Sequence, residues 1–177
     1  MPRTIQISKD LSLSPHTKDD ISGWLTYLND RALYRGTLMI PYPYRKADAL
    51  AFLRLNQGLK ARHGREMNFA IRDSQGRMIG GIGFQGKYGK GSHKDEIGYW
   101  LGRPYRGRGI MTAVLKRFCS FAFEERKLSR IEATIFPFNI ASMRLVERCG
   151  FRLEGRLRKA YLKNGRYIDG MLYAKVR

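Results

Sequence analysis

EIGYWLGRPYRGRGIMTAVL, residues 96–115, runs from a strand-like segment into a helix-like one through a cluster of glycine and arginine. The start of a helix leaves backbone N–H groups unbonded and carries the positive end of the macrodipole, so it attracts anions. Glycine lets a phosphate approach these amides because it has no Cβ. Gly107 and Gly109 therefore predict a pyrophosphate site, with Arg106 and Arg108 as charged donors.

The cluster differs from two common phosphate motifs. It lacks the Lys-Ser/Thr ending of a P-loop and the third glycine of a dinucleotide fingerprint. Arg-Gly pairs are also typical of ordinary basic turns, so the residues alone leave both interpretations open.

The composition is strongly basic. The 177 residues suit one domain, residues 1–177, and they include 34 Lys+Arg against 15 Asp+Glu, which gives a net charge of +19. Such a charge attracts polyanions: RNA, a ribosome surface or a highly phosphorylated cofactor. A general basicity of the source organism's proteins is the competing explanation.

Other features exclude whole classes of protein. No run of eighteen apolar residues is present, so we expect no membrane span, and the N-terminal MPRTIQISKDLSLS lacks an apolar signal core. Cys119 and Cys149 have no metal-ligand spacing. We therefore expect two reduced core thiols in a cytoplasmic protein without a metal.

Hydrophobic periodicity predicts the order β-α-α-β-β-β-α-β-α-β-β. LSLSPH suggests an edge strand, and Ile21, Trp24, Leu25 and Leu28 recur at helical spacing behind it. A turn-rich MIPYPYRKAD and a second helix that Gly64 ends come next. The remaining predicted elements are MNFAIRD and RMIGGIGFQG (a hairpin), KYGKGSHK (an exposed loop), DEIGYWLG, a helix over about 107–126, RIEATIF, NIASMRLVERCG, and a last hairpin of FRLEGRLRKAYLK and RYIDGMLYAKV around NG.

Several of these segments together resemble the GNAT N-acyltransferases, in particular their RimJ/RimL-like branch. EIGYWLG is similar to that branch's central strand, and RGRGIMTAVL to its glycine loop and helix. NIASMRLVERCGF, LEGRLRKAYLKNGRYIDGMLYA and IPYPYRKADALAFL also resemble segments of the branch in the same order. The family pattern has Gln or Arg three residues before the first glycine, where this chain has Pro104, with Arg103 one residue earlier.

The resemblance implies an α/β fold with a mixed, twisted sheet of about seven strands and helices on both faces. It also implies transfer of an acetyl group from acetyl-CoA to an amine by direct attack, in a monomer or a homodimer. In the family, the central strand splays from its neighbour and binds the thioester arm through free backbone amides. That role maps to the backbone of Trp100, Leu101 and Gly102, although the side chains of Trp100 and Leu101 also suit a core. Ile110 is assigned to the pyrophosphate site.

The same resemblance suggests contacts for the short helix. Asn139 would contact the pantetheine arm and Ser142 would lie near the sulfur, although both residues also suit a helix N-terminus. Many relatives place a tyrosine acid where this chain has Val146. Ser142 is therefore the better candidate for protonating the thiolate.

Glu96 is the best candidate for a general base. It lies four residues before Trp100 and hence on the same strand face, although a surface salt bridge is an equal alternative. A RimL-type base on the final hairpin would fall at Tyr161. This chain therefore looks closer to RimJ, and Tyr161 either lines the acceptor pocket or belongs to the core.

The acceptor is predicted from a free-energy difference. Neutralising an α-amino group at pH 7 costs about 1 kcal/mol, whereas a lysine costs about 4.6 kcal/mol. A site without an obvious strong base favours a protein N-terminus, with the basic surface helping to dock on an RNA-rich ribosome. Two alternatives remain: acetylation of a small amine such as an aminoglycoside or polyamine, and an RNA-directed or non-catalytic role suggested by the aromatic-basic run RLRKAYLKNGRY.

Overall fold

A computed structural model describes residues 4–89 and 91–177. Eight strands form one sheet in the order β1-β2-β3-β4-β5-β6-β8-β7. All neighbours are antiparallel except β5 and β6, which are parallel. The strands are β1 (Ile5–Ser8), β2 (Leu11–Pro15), β3 (Asn68–Arg72), β4 (Met78–Phe84), β5 (Lys94–Leu101), β6 (Arg130–Ile135), β7 (Arg152–Lys163) and β8 (Arg166–Val176).

The mixed sheet confirms the predicted architecture, with one strand more than expected. The additional strand is β1, which pairs with β2 and takes the edge position predicted for LSLSPH. Sequence patterns missed β1 because only four residues form it, too few for a clear alternation.

Five α-helices cover the sheet: α1 (Ile21–Tyr27), α2 (Arg31–Gly36), α3 (Lys46–His63), α4 (Ile110–Glu124) and α5 (Ile140–Arg148). The periodicity did not predict α2, a six-residue helix that the Asp30 carboxylate caps through the amides of Ala32 and Leu33. Helix α4 begins three residues later than predicted, because Gly107 and Gly109 are both in the left-handed region.

The core has two parts on opposite faces of the sheet. Helices α4 and α5 pack on one face around Phe118, Leu115 and Val146. Helices α1, α2 and α3 pack on the other face around Trp24, and they cover the β3–β5 side. Strand β4 lies between these layers and is buried at all seven positions, whereas no residue of β7 is buried.

The last hairpin has the predicted NG turn. Asn164 and Gly165 both have positive φ, and Lys163 pairs with Arg166 across them. Lys163 connects the hairpin to α2, because its ammonium donates hydrogen bonds to the carbonyls of Tyr34 and Thr37 at the end of that helix.

The cysteines match the expectation of core thiols. Cys119 and Cys149 are both buried free thiols, and burial raises the pKa of Cys119 to about 12. No helix in the described ranges is long and apolar enough to cross a membrane. Residues 1–3 of the predicted signal-free N-terminus and Lys90 of KYGKGSHK lie outside the described residues.

Candidate active site

A wedge between β5 and β6 is the main feature of the site. The two strands are in register only over Lys94↔Arg130, Asp95↔Ile131 and Glu96↔Glu132. Beyond these pairs, β5 continues to Leu101 and β6 to Ile135 without pairing to each other. A gap therefore opens between the strands, with Glu96 at its closed end.

Hydrogen bonds to β4 determine which groups of β5 face this wedge. Gly102 donates its N–H to the carbonyl of Ile79 at 2.9 Å, and Gln85 donates to the carbonyl of Glu96 at 2.8 Å. Because bonding alternates along an antiparallel pair, even-numbered residues of β5 direct their backbone groups at β4. The N–H groups of Tyr99 and Leu101 point toward the wedge instead.

This alternation corrects two of the three predicted backbone contacts. The Leu101 N–H points toward the wedge, so its contact with the thioester arm stays a prediction, but Trp100 and Gly102 use their backbone groups within the sheet. The Trp100 side chain packs in the core beneath α1 and α3. The predicted separation of β5 from β6 is present, but Trp100 and Gly102 each lie one residue away from the residues whose N–H groups face the wedge.

The glycine junction lies beyond the open end of the wedge. Gly107 and Gly109 have φ of 75°, and a Cβ on either glycine would have no atom within 4 Å. The first bond of α4 runs from the Ala113 N–H to the Gly109 carbonyl at 3.1 Å. The amides ahead of Ala113 therefore have no partner within α4, which leaves them free to bond an anion.

The two arginines of the junction differ. Arg106 donates from Nε to the Leu101 carbonyl at 2.8 Å and forms an ion pair with Asp30 at 2.8 Å. Arg106 thus ties the junction to β5 and α2 rather than pointing freely at a ligand. Arg108 is exposed, and no described carboxylate forms an ion pair with it. Ile110 packs against the core at the helix start.

Helix α5 places a hydroxyl pair beside the wedge. Asn139 is the N-cap, and its side chain accepts from the Ser142 N–H at 3.3 Å. The Ser142 hydroxyl lies 2.6 Å from the Tyr99 hydroxyl. Burial raises the pKa of Tyr99 to about 12, even though the Ser142 bond opposes that shift, so the phenol is protonated at neutral pH.

Tyr99 was missed by the sequence analysis. It lies 43 residues from Ser142 in the chain, and no spacing rule joins the two residues. Its strand phase would have been a usable signal, since Tyr99 faces the core side on which α5 packs. Val146 at the family's tyrosine position is fully buried and carries no polar group.

Glu96 is buried at the closed end of the wedge, with 8% of its surface exposed. Its Oε2 accepts from the ammonium of Lys87, and its Oε1 has no hydrogen-bond partner among the described residues. The carboxylate can therefore receive a proton on one oxygen while the other stays fixed. The predicted surface salt bridge is thus real, but it is partly buried.

Glu132 lies beside Glu96 as its register partner. Its carboxylate accepts from Tyr88 at 2.5 Å, Arg130 at 2.6 Å and Lys94 at 3.2 Å. Burial raises the pKa of Glu132, but these three bonds outweigh it and lower the pKa overall. Glu132 is therefore a fixed anion rather than a second base.

Tyr161 is half-buried on β7, where its ring packs edge-on against Phe136 with 5.5 Å between centroids. Its phenol also contributes to the electrostatic environment of Lys87. The position next to the Lys87–Glu96 pair is consistent with both predicted roles, a pocket wall and packing. No group of metal-ligating side chains occurs in the described part of the chain.

Comparisons with known proteins agree with this geometry. The profile of the GNAT acetyltransferase domain matches residues 10–152. Over 78 residues the chain is 44% identical to the probable N-acetyltransferase YjcK of Bacillus subtilis, covering 44% of this chain and 43% of that protein. Over 81 residues it is 35% identical to the ribosomal-protein-serine acetyltransferase of Escherichia coli, covering 46% and 45%. The chain therefore spans a little under half the length of these two curated relatives.

A solved structure resembles the chain over nearly its full length. RimJ of Mycobacterium smegmatis, in complex with CoA-disulfide, superposes with a TM-score of 0.85 at 25% identity, covering 99% of this chain and 88% of that one. The profile covers most of the chain, and the fold agrees with it. The chain belongs to the GNAT acetyltransferase family, in its RimJ/RimL-like branch.

Proposed function

We propose that this protein transfers an acetyl group from acetyl-CoA to the α-amino group of a protein N-terminus. The observation that carries the proposal is the wedge, which has a phosphate-accessible glycine junction beyond its open end and the buried carboxylate of Glu96 at its closed end. An extended molecule with an anionic head and a reactive tail fits this arrangement.

The chain's own groups suit acetyl-CoA along its length. The amides that follow Gly107 and Gly109 would hold the pyrophosphate, and Arg108 is available as a charged donor. The N–H groups of Tyr99 and Leu101 would bond the pantetheine arm and the thioester carbonyl. Asn139, the N-cap of α5, would contact the pantetheine arm.

The transfer requires two proton movements. As the acceptor nitrogen bonds to the acetyl carbon, Glu96 Oε1 would take the proton that the amine loses. As the carbon–sulfur bond breaks, the Ser142 hydroxyl would give its proton to the thiolate and take one from Tyr99, which would regain a proton from solvent as Glu96 releases the proton of the amine. Glu96 and Ser142 are thus the proposed catalytic residues, with Tyr99 positioned behind Ser142.

The α-amine is favoured over a lysine by the charge of the site. Glu96, the proposed base, is already bonded to Lys87, and Glu132 is engaged by Lys94 and Arg130. This group of paired side chains has little net negative charge with which to bind a cationic acceptor. An α-amine becomes neutral at much lower cost than a lysine side chain. The Escherichia coli relative named a ribosomal-protein-serine acetyltransferase supports a protein acceptor, which would place the reaction in the cytoplasm.

A second candidate function is RNA-directed binding, which the exposure of β7 favours. This edge strand has no buried residue and carries Arg152, Arg156, Arg158, Lys159 and Lys163. Tight RNA binding without acetyl-CoA binding in calorimetry would favour it over catalysis. RNA binding that leaves acetyl transfer intact would instead indicate docking on an RNA-rich particle.

The test is a thiol-release assay with acetyl-CoA and three acceptor sets. The first set contains peptides with a free N-terminus and no lysine, the second N-acetylated peptides with one internal lysine, and the third aminoglycosides and polyamines. We expect turnover chiefly with the first set, and mass spectrometry should place the acetyl group on the α-nitrogen. Turnover of the small amines alone would refute the proposed acceptor.

A further inference from the structure

The closed end of the wedge already contains an amine of this chain. Lys87 follows β4, in a segment predicted to be an exposed loop, but its ammonium reaches back to Glu96 Oε2. The Lys87 side chain is 47% exposed, whereas that of Glu96 is 10% exposed. The loop therefore brings a solvent-accessible cation onto a buried carboxylate.

This cation stays charged at neutral pH. Burial alone would lower the pKa of Lys87, but the hydrogen bond and the charge of Glu96 outweigh burial and raise it. Tyr161 and Glu132 act in the same direction. Lys87 is consequently a permanent ammonium beside the candidate base and a poor acceptor of the acetyl group itself.

The surrounding charges do not favour a second cation. The acids near the closed end of the wedge already pair with bases of the chain. Glu96 pairs with Lys87, and Glu132 pairs with Lys94 and Arg130. Arg130 also pairs with Glu154. An acceptor that arrives protonated would find the carboxylates of Glu96 and Glu132 already paired with cations of the chain and would lie close to the Lys87 ammonium. Like charges in a partly buried site repel each other strongly.

We propose that Lys87 determines the acceptor specificity of this enzyme: its ammonium fixes Glu96 through Oε2, leaves Oε1 for proton transfer, and excludes amines that stay cationic. The inference rests on the proposed acetyl transfer. α-Amines pass this filter because a sizeable fraction is neutral near pH 7, whereas lysine side chains and polyamines are almost entirely protonated.

The test compares two acceptors in four proteins. The acceptors are a lysine-free peptide with a free N-terminus and the polyamine spermidine, and the readout is the ratio of their kcat/KM values. A ratio is chosen because any general change in the basicity of Glu96 affects both acceptors and cancels. The proteins are wild type, Lys87→Met, Lys87→Arg and Lys60→Met, the last being a matched control that also removes an exposed lysine from an ion pair, here with Glu66.

We expect Lys87→Met to lower the peptide-to-spermidine ratio about tenfold, because the repulsion of the cationic acceptor is lost. Lys87→Arg keeps the charge and should keep the ratio within about twofold, as should Lys60→Met. A ratio unchanged in an active Lys87→Met protein overturns the inference and leaves the proposed function intact. An equal fall in Lys60→Met also overturns it, since the effect would then be one of overall charge.

Two further outcomes are decisive. Acetylation of Lys87 itself, found by peptide mapping after incubation with acetyl-CoA, would overturn the inference because the residue would then be an acceptor and not a filter. Absence of peptide turnover in the wild-type protein would overturn the proposed function and this inference with it.

Discussion

Asp20 and Glu96 are both buried carboxylates bonded to a cation, yet their surroundings differ in a way that separates structure from chemistry. Both Asp20 oxygens are occupied: the guanidinium of Arg72 donates to them at 2.8 and 3.0 Å, and the Thr17 N–H donates at 2.9 Å. Glu96 has one bonded oxygen and one without a described partner. Burial alone therefore does not mark a catalytic base, and the proposed role of Glu96 rests instead on its free oxygen beside the open wedge.

The exposure of the two cations supports the distinction. The Arg72 side chain is 16% exposed and is held by a further bond from its Nε to Ser14 at 2.6 Å. Lys87 is about half exposed and belongs to a loop. Both partners of the Asp20 pair are thus held by further bonds, whereas Lys87 of the Glu96 pair remains accessible to an acceptor.

The largest expected effect is on catalysis at Glu96. Glu96→Gln keeps the shape and removes the base, so kcat should fall by about 100-fold or more in the thiol-release assay. The affinity for acetyl-CoA, measured by calorimetry, should stay within about twofold. Glu66→Gln, which removes an acid paired with Lys60 and not part of β5 or β6, is the control. Near-normal kcat in Glu96→Gln would break the comparison with Asp20.

Asp20→Asn should have the reverse profile. Removing one member of a buried ion pair costs about 3 kcal/mol of folding free energy, which lowers Tm by roughly 6–12 °C in a chain of this size. The kcat measured well below the new Tm should be unchanged. A specific loss of kcat in a folded Asp20→Asn protein would place that carboxylate in the chemistry.

The pH dependence of stability sharpens the same point. Burial opposes ionisation of Asp20, but the bonds from His16 and Arg72 outweigh it and lower the pKa to about 2. A carboxyl with a lowered pKa stabilises the fold above its unfolded value, near 4, and this contribution disappears as pH falls toward 2. Thermal melts between pH 5 and 2 should show a smaller loss of Tm in Asp20→Asn than in the wild type.

A smaller effect, of about tenfold, is expected at the glycine junction. Gly109→Val forces a β-branched side chain into the left-handed region and obstructs the amides of α4, so the KM for acetyl-CoA should rise. Gly76→Val is a matched control, because Gly76 has the same φ of 75° and the same open surroundings in the β3–β4 turn. If both variants raised the KM equally, backbone strain and not ligand contact would be responsible.

The smallest effect is expected at the hydroxyl pair. Tyr99→Phe removes the group bonded to Ser142, and kcat should fall about three- to fivefold without a change in acceptor KM. Ser142→Ala should cost more, and the double variant should resemble Ser142→Ala, since the phenol acts through the serine. Additive losses would show that Tyr99 and Ser142 act separately.

Much of the fold could be predicted from periodicity and turn chemistry. The stripe of α4, the NG hairpin and the buried run of β4 are all strong local patterns. Strand β1 and helix α2 could not be predicted because each is short and owes its place to partners elsewhere, namely β2 and the Asp30 cap.

The site was predicted less completely, for a physical reason. Residue types suggested Glu96, Ser142, Asn139 and the two glycines, whose roles stay predictions, but the direction of each backbone group of β5 depends on its bonds to β4. That phase moved the expected contacts from Trp100 and Gly102 to Tyr99. Likewise, Lys87 belongs to a segment with an ordinary loop composition, and only its folded position joins it to Glu96.

The three register pairs between β5 and β6 also have a mechanical consequence. They form a short ladder, which we call the seam of the sheet. Among strands of more than five residues, every other neighbouring pair is joined by a longer ladder. A molecule bound in the wedge would lie between β5 and β6 and would help to hold these two strands together. Amide hydrogen exchange along the seam should therefore slow when acetyl-CoA is added, as ligand binding stabilises the closed sheet. While it is bound, the substrate would therefore contribute to the stability of the same sheet that binds it.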